Sequence, residues 1–301
     1  MTRNIYVLIT LLLLAALSYA QPFSQSGKAP DEAKVTVTLP NIESSVKFLA
    51  TGDTGRGTPV QFELGRVMAD YQKIFPFDTA LLTGDNLYGP ETPSDYRAKF
   101  EEPYRELLDR DVKFYATLGN HDETPQIHYE HFNMGGKEYY RFEKGDVAFY
   151  ALDTTYLKKD QIDWLESELA DDDSRWKMAF FHHPPFSSGG RHGSDDDIRD
   201  VLHPIFVKYG VDVVFTGHDH FYERIKPQDG VQYFVTGAGG EVRRNDIKNR
   251  GLTAKGYDQD LSFMLVEVIG DAMIFQAVSR SGATVDSGVV IRQPDKKEAK
   301  K

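Results

Sequence analysis

The chain has 301 residues, 40% hydrophobic and 12% aromatic, which is enough for a large core and excludes an intrinsically disordered chain. The formal net charge of −11 argues against a broad nucleic-acid-binding surface. The absence of cysteine excludes disulfides, thiolate metal ligands, a cysteine nucleophile and a lipoprotein anchor.

Residues 1–20 read "MTRNIYVLITLLLLAALSYA". Arg3 precedes an apolar run from Ile5 to Leu17, and Ser18 and Ala20 form a small-x-small cleavage site. This is the pattern of a secretory signal peptide. The run is shorter than the roughly 20 apolar residues of a spanning helix. The mature protein is therefore expected to be exported, periplasmic or secreted, with no stable membrane anchor after cleavage. Residues 21–34, polar with Pro, Ser and Gly, read as a flexible leader. Residues 35–291 read as one domain, and residues 292–301, "RQPDKKEAKK", as a charged tail.

Within that domain, short apolar runs end abruptly in Gly and polar residues: "VKFLATGD", "TALLTGDN", "KFYATLGNHD", "KMAFFHHPP" and "VDVVFTGHDH". Continuous apolar runs of this length predict strands buried on both faces. Helical patterns lie between several of them. Phe62, Leu64, Val67, Met68, Tyr71 and Ile74 recur on one face. "DYRAKFEEPYRELLDRD" is charged but amphipathic. "KKDQIDWLESELA" is expected to start at Asp160 as N-cap, and "IRDVLHPIFVKYG" to end at Gly210. "YYRFEKGDVAFYALD" predicts a hairpin turning at Gly145-Asp146. "QYFVTGAGG", "SFMLVEVIG", "AMIFQAVSR" and "ATVDSGVVI" predict antiparallel strands. The fold class is α/β, with sheets covered by helices.

Ligands in open α/β sheets bind beyond the carboxyl ends of the strands. The strand ends supply Asp53, Asp85, Asn120, His121, His182, His218 and His220. Carboxylate, imidazole and amide oxygen together suit iron, zinc or manganese. In extended chain, His218 and His220 at i, i+2 would share one side. The set exceeds the needs of a single metal, which points to two metals bridged by one carboxylate. Each motif alone has a plain alternative, a Gly-Asp turn for "GDTG" or a rigid turn for "HHPP"; the combination carries the argument.

The combination resembles the calcineurin-like metallophosphoesterases, and within them the purple acid phosphatases of the single-domain, tartrate-resistant type. The resemblance covers Val46 to about Gly240. The general superfamily opens with Asp-x-His, whereas this chain has Asp53-Thr54-Gly55. Purple acid phosphatases share that departure and place a tyrosine three residues after the bridging aspartate, as Tyr88 stands after Asp85 here. A phenolate is a hard donor that needs a strongly charged cation to form.

The resemblance implies a four-layer α/β/β/α sandwich of two mixed sheets. It implies an Fe(III) site of Asp53, Asp85, Tyr88 and His220, and a second site of Asp85, Asn120, His182 and His218 for divalent Fe, Zn or Mn. It implies catalytic roles for His121 and His192 in holding phosphate and protonating the leaving group, with His183 a packing neighbour. Arg191 is a weaker phosphate contact. Glu223 and Arg224 in "HFYER" are expected to pair. His128, His131 and His203 are expected to lie outside the site without partners. The implied activity is hydrolysis of small phosphate monoesters by a metal-activated water attacking phosphorus in line. Two alternatives stand beside it: a Zn or Mn phosphodiesterase or nucleotidase of the same superfamily, and a metal- or phosphate-binding protein without turnover.

Overall fold

The computed structural model describes residues 35–248 and 251–292. The expected signal peptide, leader and all but the first residue of the charged tail lie outside the described residues. Two sheets carry the strands found among them. One has the order β13-β12-β11-β1-β2-β3, where β1 is Val46–Thr51, β2 Thr79–Leu82, β3 Lys113–Ala116, β11 Ser262–Ile269, β12 Ala272–Ser279 and β13 Thr284–Ile291. The other has the order β10-β8-β9-β7-β6-β5-β4. Its strands are β4 Tyr140–Lys144, β5 Val147–Ala151, β6 Trp176–Phe180, β7 Val213–Thr216, β8 Tyr222–Ile225, β9 Gln232–Thr236 and β10 Thr253–Tyr257.

Each sheet has a parallel part: β1, β2 and β3, ending at the β3 edge, in the first, and β5, β6, β7 and β9, in the middle, in the second. Antiparallel strands extend the first sheet on one side and the second on both, so both are mixed. The strand β9, expected to be antiparallel, is parallel to β7 and antiparallel only to β8. Its apolar run "QYFVT" is buried throughout, as a two-faced strand requires.

Alternation along the strands builds the layers. Phe48 of β1 meets Phe149 of β5 and Phe215 of β7 edge-on, with centroids 5.2 and 5.8 Å apart, and Phe234 of β9 meets Phe275 of β12 at 5.0 Å. These rings lie between the sheets, and each fully buried Phe contributes about 1.5–3 kcal/mol. The alternate residues Ala148, Tyr150, Ala179 and Val214 face outward. They pack under helix α2, Lys159–Asp171, through Leu165 and Leu169, and under helix α3, Asp196–Tyr209, through Ile198, Leu202 and Phe206. Helix α1, Pro59–Ile74, covers the other sheet, with Tyr71 against Phe263 of β11 at 5.9 Å. The result is the four-layer α/β/β/α sandwich.

Several local expectations are corrected. Ile74 ends α1 exposed, at 46%. "DYRAKFEEPYRELLDRD" is no single helix: Pro93–Tyr96 and Arg97–Glu101 are separated from Arg105–Leu108 around Pro103, which lacks the amide a continuing helix needs. The N-cap of α2 is Lys158, and Asp160 sits inside the first turn with its carboxylate on the Gln161 amide. Glu223 and Arg224 point to opposite faces of β8. Arg224 pairs with Asp286 at 2.8 Å, while Glu223 accepts from the Ser188 amide and the Thr253 hydroxyl. The hairpin at Gly145 and the left-handed Gly210 at the end of α3 (φ 71°) are as expected. No helix of the described residues is long and apolar enough to cross a membrane.

Candidate metal centre

The five strand-end motifs follow β1, β2, β3, β6 and β7, and their loops interlock at the carboxyl ends of the strands. The Asp53 amide donates to the Gly84 carbonyl (3.0 Å), the Thr54 amide to Asp85 (3.1 Å), and the Gly217 amide to His182 (3.0 Å). Asp53, Asp85 and His218 all take left-handed backbone conformations, with φ of 55°, 51° and 69°. Such residues persist only where their surroundings hold them, and they concentrate at functional sites. The expected extended path for His218 and His220 is therefore wrong: the chain bends at His218, yet both imidazoles still reach the centre. Glycine is required at Gly119, where a Cβ would stand 2.3 Å from both the amide nitrogen and Oδ1 of Asp85.

The donor atoms fall into two groups. In the first, Tyr88 OH lies 3.0 Å from Asp53 Oδ1 and 3.1 Å from His220 Nε2, and those two atoms are 3.2 Å apart. In the second, His182 Nε2 lies 3.0 Å from Asn120 Oδ1, 3.1 Å from His218 Nδ1 and 3.5 Å from Asp85 Oδ1. Asp53, Asp85 and His182 bring one donor each to within 4.8 Å of one another, as do His182, His183 and His218.

Proton counting shows what the second group needs. His182 Nδ1 is 3.0 Å from the Thr83 carbonyl, a pure acceptor, so the ring proton is on Nδ1. Nε2 is then a lone pair facing the Asn120 and Asp85 oxygens, which also offer only lone pairs, and His218 Nδ1 is the one neighbour able to donate to it. Such a donor-poor arrangement suits a cation. The protonation states agree. Burial and the neighbouring His183 hold His182 neutral, far below the usual histidine range. Burial and Arg243 press His220 down to about 3, and burial with His182 and His183 lowers His218 further. Neutral imidazoles are the ligand form. Burial and the Asp53 and Asp85 charges push the Tyr88 phenol far up, so the phenolate forms only beside a strong positive charge. All seven expected donors, Asp53, Asp85, Tyr88, Asn120, His182, His218 and His220, could thus hold metal. Donors about 3.0–3.5 Å apart suit ions with ligands near 2.1 Å, as for imidazole and carboxylate on zinc.

The other expected residues surround this set. The His121 amide donates to Asp85 Oδ1 (2.9 Å), and its ring lies 4.9 Å from the Tyr88 ring. The ring of His192 lies 4.1 Å from that of His218. His192 and Arg191 line a cleft of about 500 Å³ with His218 and Asp195–Asp197. Ser187 and the Gly193 amide bond Asp219, which thereby anchors the His192 loop and points away from the donors. His183 Nδ1 is 3.0 Å from the Thr154 hydroxyl. His128, His131 and His203 lie outside the donor groups, but His203 does have partners, Tyr233 OH at 2.8 Å and Asp229 at 3.0 Å.

Sequence reasoning missed four charged residues. Asp122 of "GNHD" accepts from the amides of Gly119, Leu87 and Asn86, tying the β2 and β3 loops together. Burial and the Asp85 charge raise it to about 8. The Arg56 guanidinium lies 3.4 Å from the Tyr88 ring centroid and pairs with Glu241, whose carboxylate is 3.7 Å from His220 Nδ1. Arg243 donates to the His218 carbonyl at 3.4 Å. Only the position of Asp122, three residues after Gly119 in a motif already singled out, gave a signal.

A family model described as calcineurin-like phosphoesterase matches residues 46–222. Tartrate-resistant acid phosphatase type 5 of Oryctolagus cuniculus is 29% identical over 238 residues, 65% of this chain and 73% of that protein. Two solved structures share the fold. The inner-membrane-complex anchor GAP50 of Plasmodium has a TM-score of 0.75 at 20% identity, over 84% of this chain and 90% of that one. The purple acid phosphatase PPD1 of Lupinus luteus has a TM-score of 0.71 at 18% identity, over 85% of this chain and 55% of that one.

Proposed function

The chain belongs to the calcineurin-like phosphoesterase family, a family of metal-dependent phosphoric ester hydrolases, and on that premise we propose that it is an exported acid phosphatase acting on small phosphate monoesters through a dinuclear centre. The observation that carries the reading is the pair of adjacent donor groups, Tyr88 beside Asp53 and His220 in one and Asp85 beside His182 in the other, with donors of Asp53, Asp85 and His182 within 4.8 Å of one another. Asp53, Asp85, Tyr88 and His220 hold Fe(III); Asp85, Asn120, His182 and His218 hold divalent Fe, Zn or Mn. The catalytic domain spans 35–291, behind a signal peptide at 1–20 and a leader at 21–34, with a charged tail at 292–301.

When bound, the two ions supply an acidified water and charge neutralisation for a phosphate ester. The protein's own residues do the rest. Asp85 fixes the spacing of the two groups. The His121 amide and the Asp122 network hold its carboxylate and the Asn120 loop in place. The leaving group lies in the cleft beside His192, and His192 or His121 delivers its proton. No phosphoenzyme forms, because no Ser or Cys nucleophile stands among the donors.

The test is metal analysis and a visible spectrum of mature protein purified without chelator. Two metals per chain, including iron, with a broad visible band support the proposal. Asp85→Asn should lose the dinuclear metal content, and unchanged metal and turnover in that variant would reject it. Two metals without iron or colour would favour the zinc or manganese diesterase instead. The likeness to purple and tartrate-resistant acid phosphatases favours the monoesterase.

A further inference from the structure

Among the described residues, Arg56 and Arg224 are ion-paired, whereas Arg191 and Arg243 are not. Arg56 pairs with Glu241 and lies against the Tyr88 ring. Arg224 pairs with Asp286. Arg191 is exposed at the outer rim of the cleft. Arg243 differs. It sits on the loop after β9 that folds back over the end of β1, where the Gly239 amide donates to the Gly52 carbonyl at 3.0 Å. Its own amide donates to the His220 carbonyl (2.9 Å), and its Nη1 to the His218 carbonyl (3.4 Å). The side chain thus spans the bend between two donor histidines. Among the described residues no carboxylate lies within ion-pairing distance of it, although the chain carries an excess of acidic residues. A guanidinium has five N–H donors in a planar fork shaped for two oxygens of a phosphate. Only one weak bond is committed here.

We infer that Arg243 is a substrate-binding residue that grips the terminal oxygens of a phosphate monoester and so sets the preference for monoesters over diesters. This rests on the phosphoesterase reading of the same site. A monoester dianion offers one more charged terminal oxygen than a diester, and that oxygen is what an unpaired fork would take.

The test compares Arg243→Ala and Arg243→Lys with wild type on p-nitrophenyl phosphate and bis(p-nitrophenyl) phosphate. Inorganic phosphate binding is measured by calorimetry, and metal content and melting midpoint are recorded alongside. The expected result for Arg243→Ala is a loss of about 10- to 100-fold in kcat/KM for the monoester, the range for a hydrogen bond to a charged group. The diester should lose much less, phosphate affinity should fall with the monoester, and metal content should stay intact. Lysine, which keeps the charge without the fork, should recover part of the loss. Equal losses on both esters, no loss on either, or loss of metal would overturn the inference and leave Arg243 a strut for the His218–His220 bend. A wild-type protein that turns over neither ester, but whose phosphate affinity still falls in Arg243→Ala, would sink the phosphoesterase reading while keeping the anion contact.

Discussion

Gly119→Ala tests the centre without replacing a donor residue. The added Cβ would lie 2.3 Å from both the amide nitrogen and Oδ1 of Asp85, whereas real Cβ contacts stay beyond 3.0 Å. Something must therefore yield by about 0.7 Å. The amide is backbone and the carboxylate is held by the His121 amide, so neither moves freely. Overpacking of this kind costs about 1–3 kcal/mol, a fall in melting midpoint of several degrees at about 2–4 °C per kcal/mol. Displacing the shared carboxylate should weaken metal binding by about 10- to 100-fold, the usual effect of disturbing a ligand's support. Metal per chain, measured at limiting metal, and turnover of p-nitrophenyl phosphate should fall together while the far-ultraviolet circular dichroism stays native. A variant that keeps full metal and full turnover would refute the claim that the Asp85 position is fixed by contact with the Gly119 backbone.

Three further predictions follow from individual contacts. Tyr88→Phe removes the hydroxyl between Asp53 and His220, so the visible band of the iron-loaded protein should vanish while iron remains detectable; an unaltered spectrum would exclude a tyrosinate. His192→Ala should slow alkyl phosphates, whose leaving alkoxide needs a proton, by about 100-fold or more, and p-nitrophenyl phosphate far less; equal losses on the two would argue against proton delivery by His192. Asp172→Asn should destabilise the fold by about 1–3 kcal/mol in thermal melting, because the carboxylate, with 1% of its side chain exposed, accepts from the Ser174 amide and pairs with Arg141. Burial alone would raise its pKa, but bonds from Ser174 and Tyr150 and the Arg141 charge outweigh that and hold it below the ordinary 3.8. Its contribution is thus complete above about pH 4 and lost as pH falls through the lower folded value. The gap between wild type and variant should narrow on acidification; a gap constant down to pH 2 would reject the sign.

The sequence by itself determined the α/β class with its buried strands and marked six of the seven candidate donors, for one reason. Parallel strands buried on both faces read as unbroken apolar runs, and a run must stop where the chain meets solvent or a ligand. That stop marks Asp53, Asp85, Asn120, His182, His218 and His220 as candidates without knowledge of any contact, whereas Tyr88 is marked only by the resemblance to the purple acid phosphatases. Tertiary structure alone decided what neighbours across the chain dictate. Whether β9 runs parallel or antiparallel depends on which strand lies beside it. Whether Glu223 meets Arg224 or Ser188 depends on the two faces of β8. Arg56, Glu241 and Arg243 stand in loops with no periodicity to mark them, and become part of the site only when the loop after β9 folds over the end of β1, more than 180 residues away in sequence. Charged loop side chains take their roles from long-range packing, which no local pattern records.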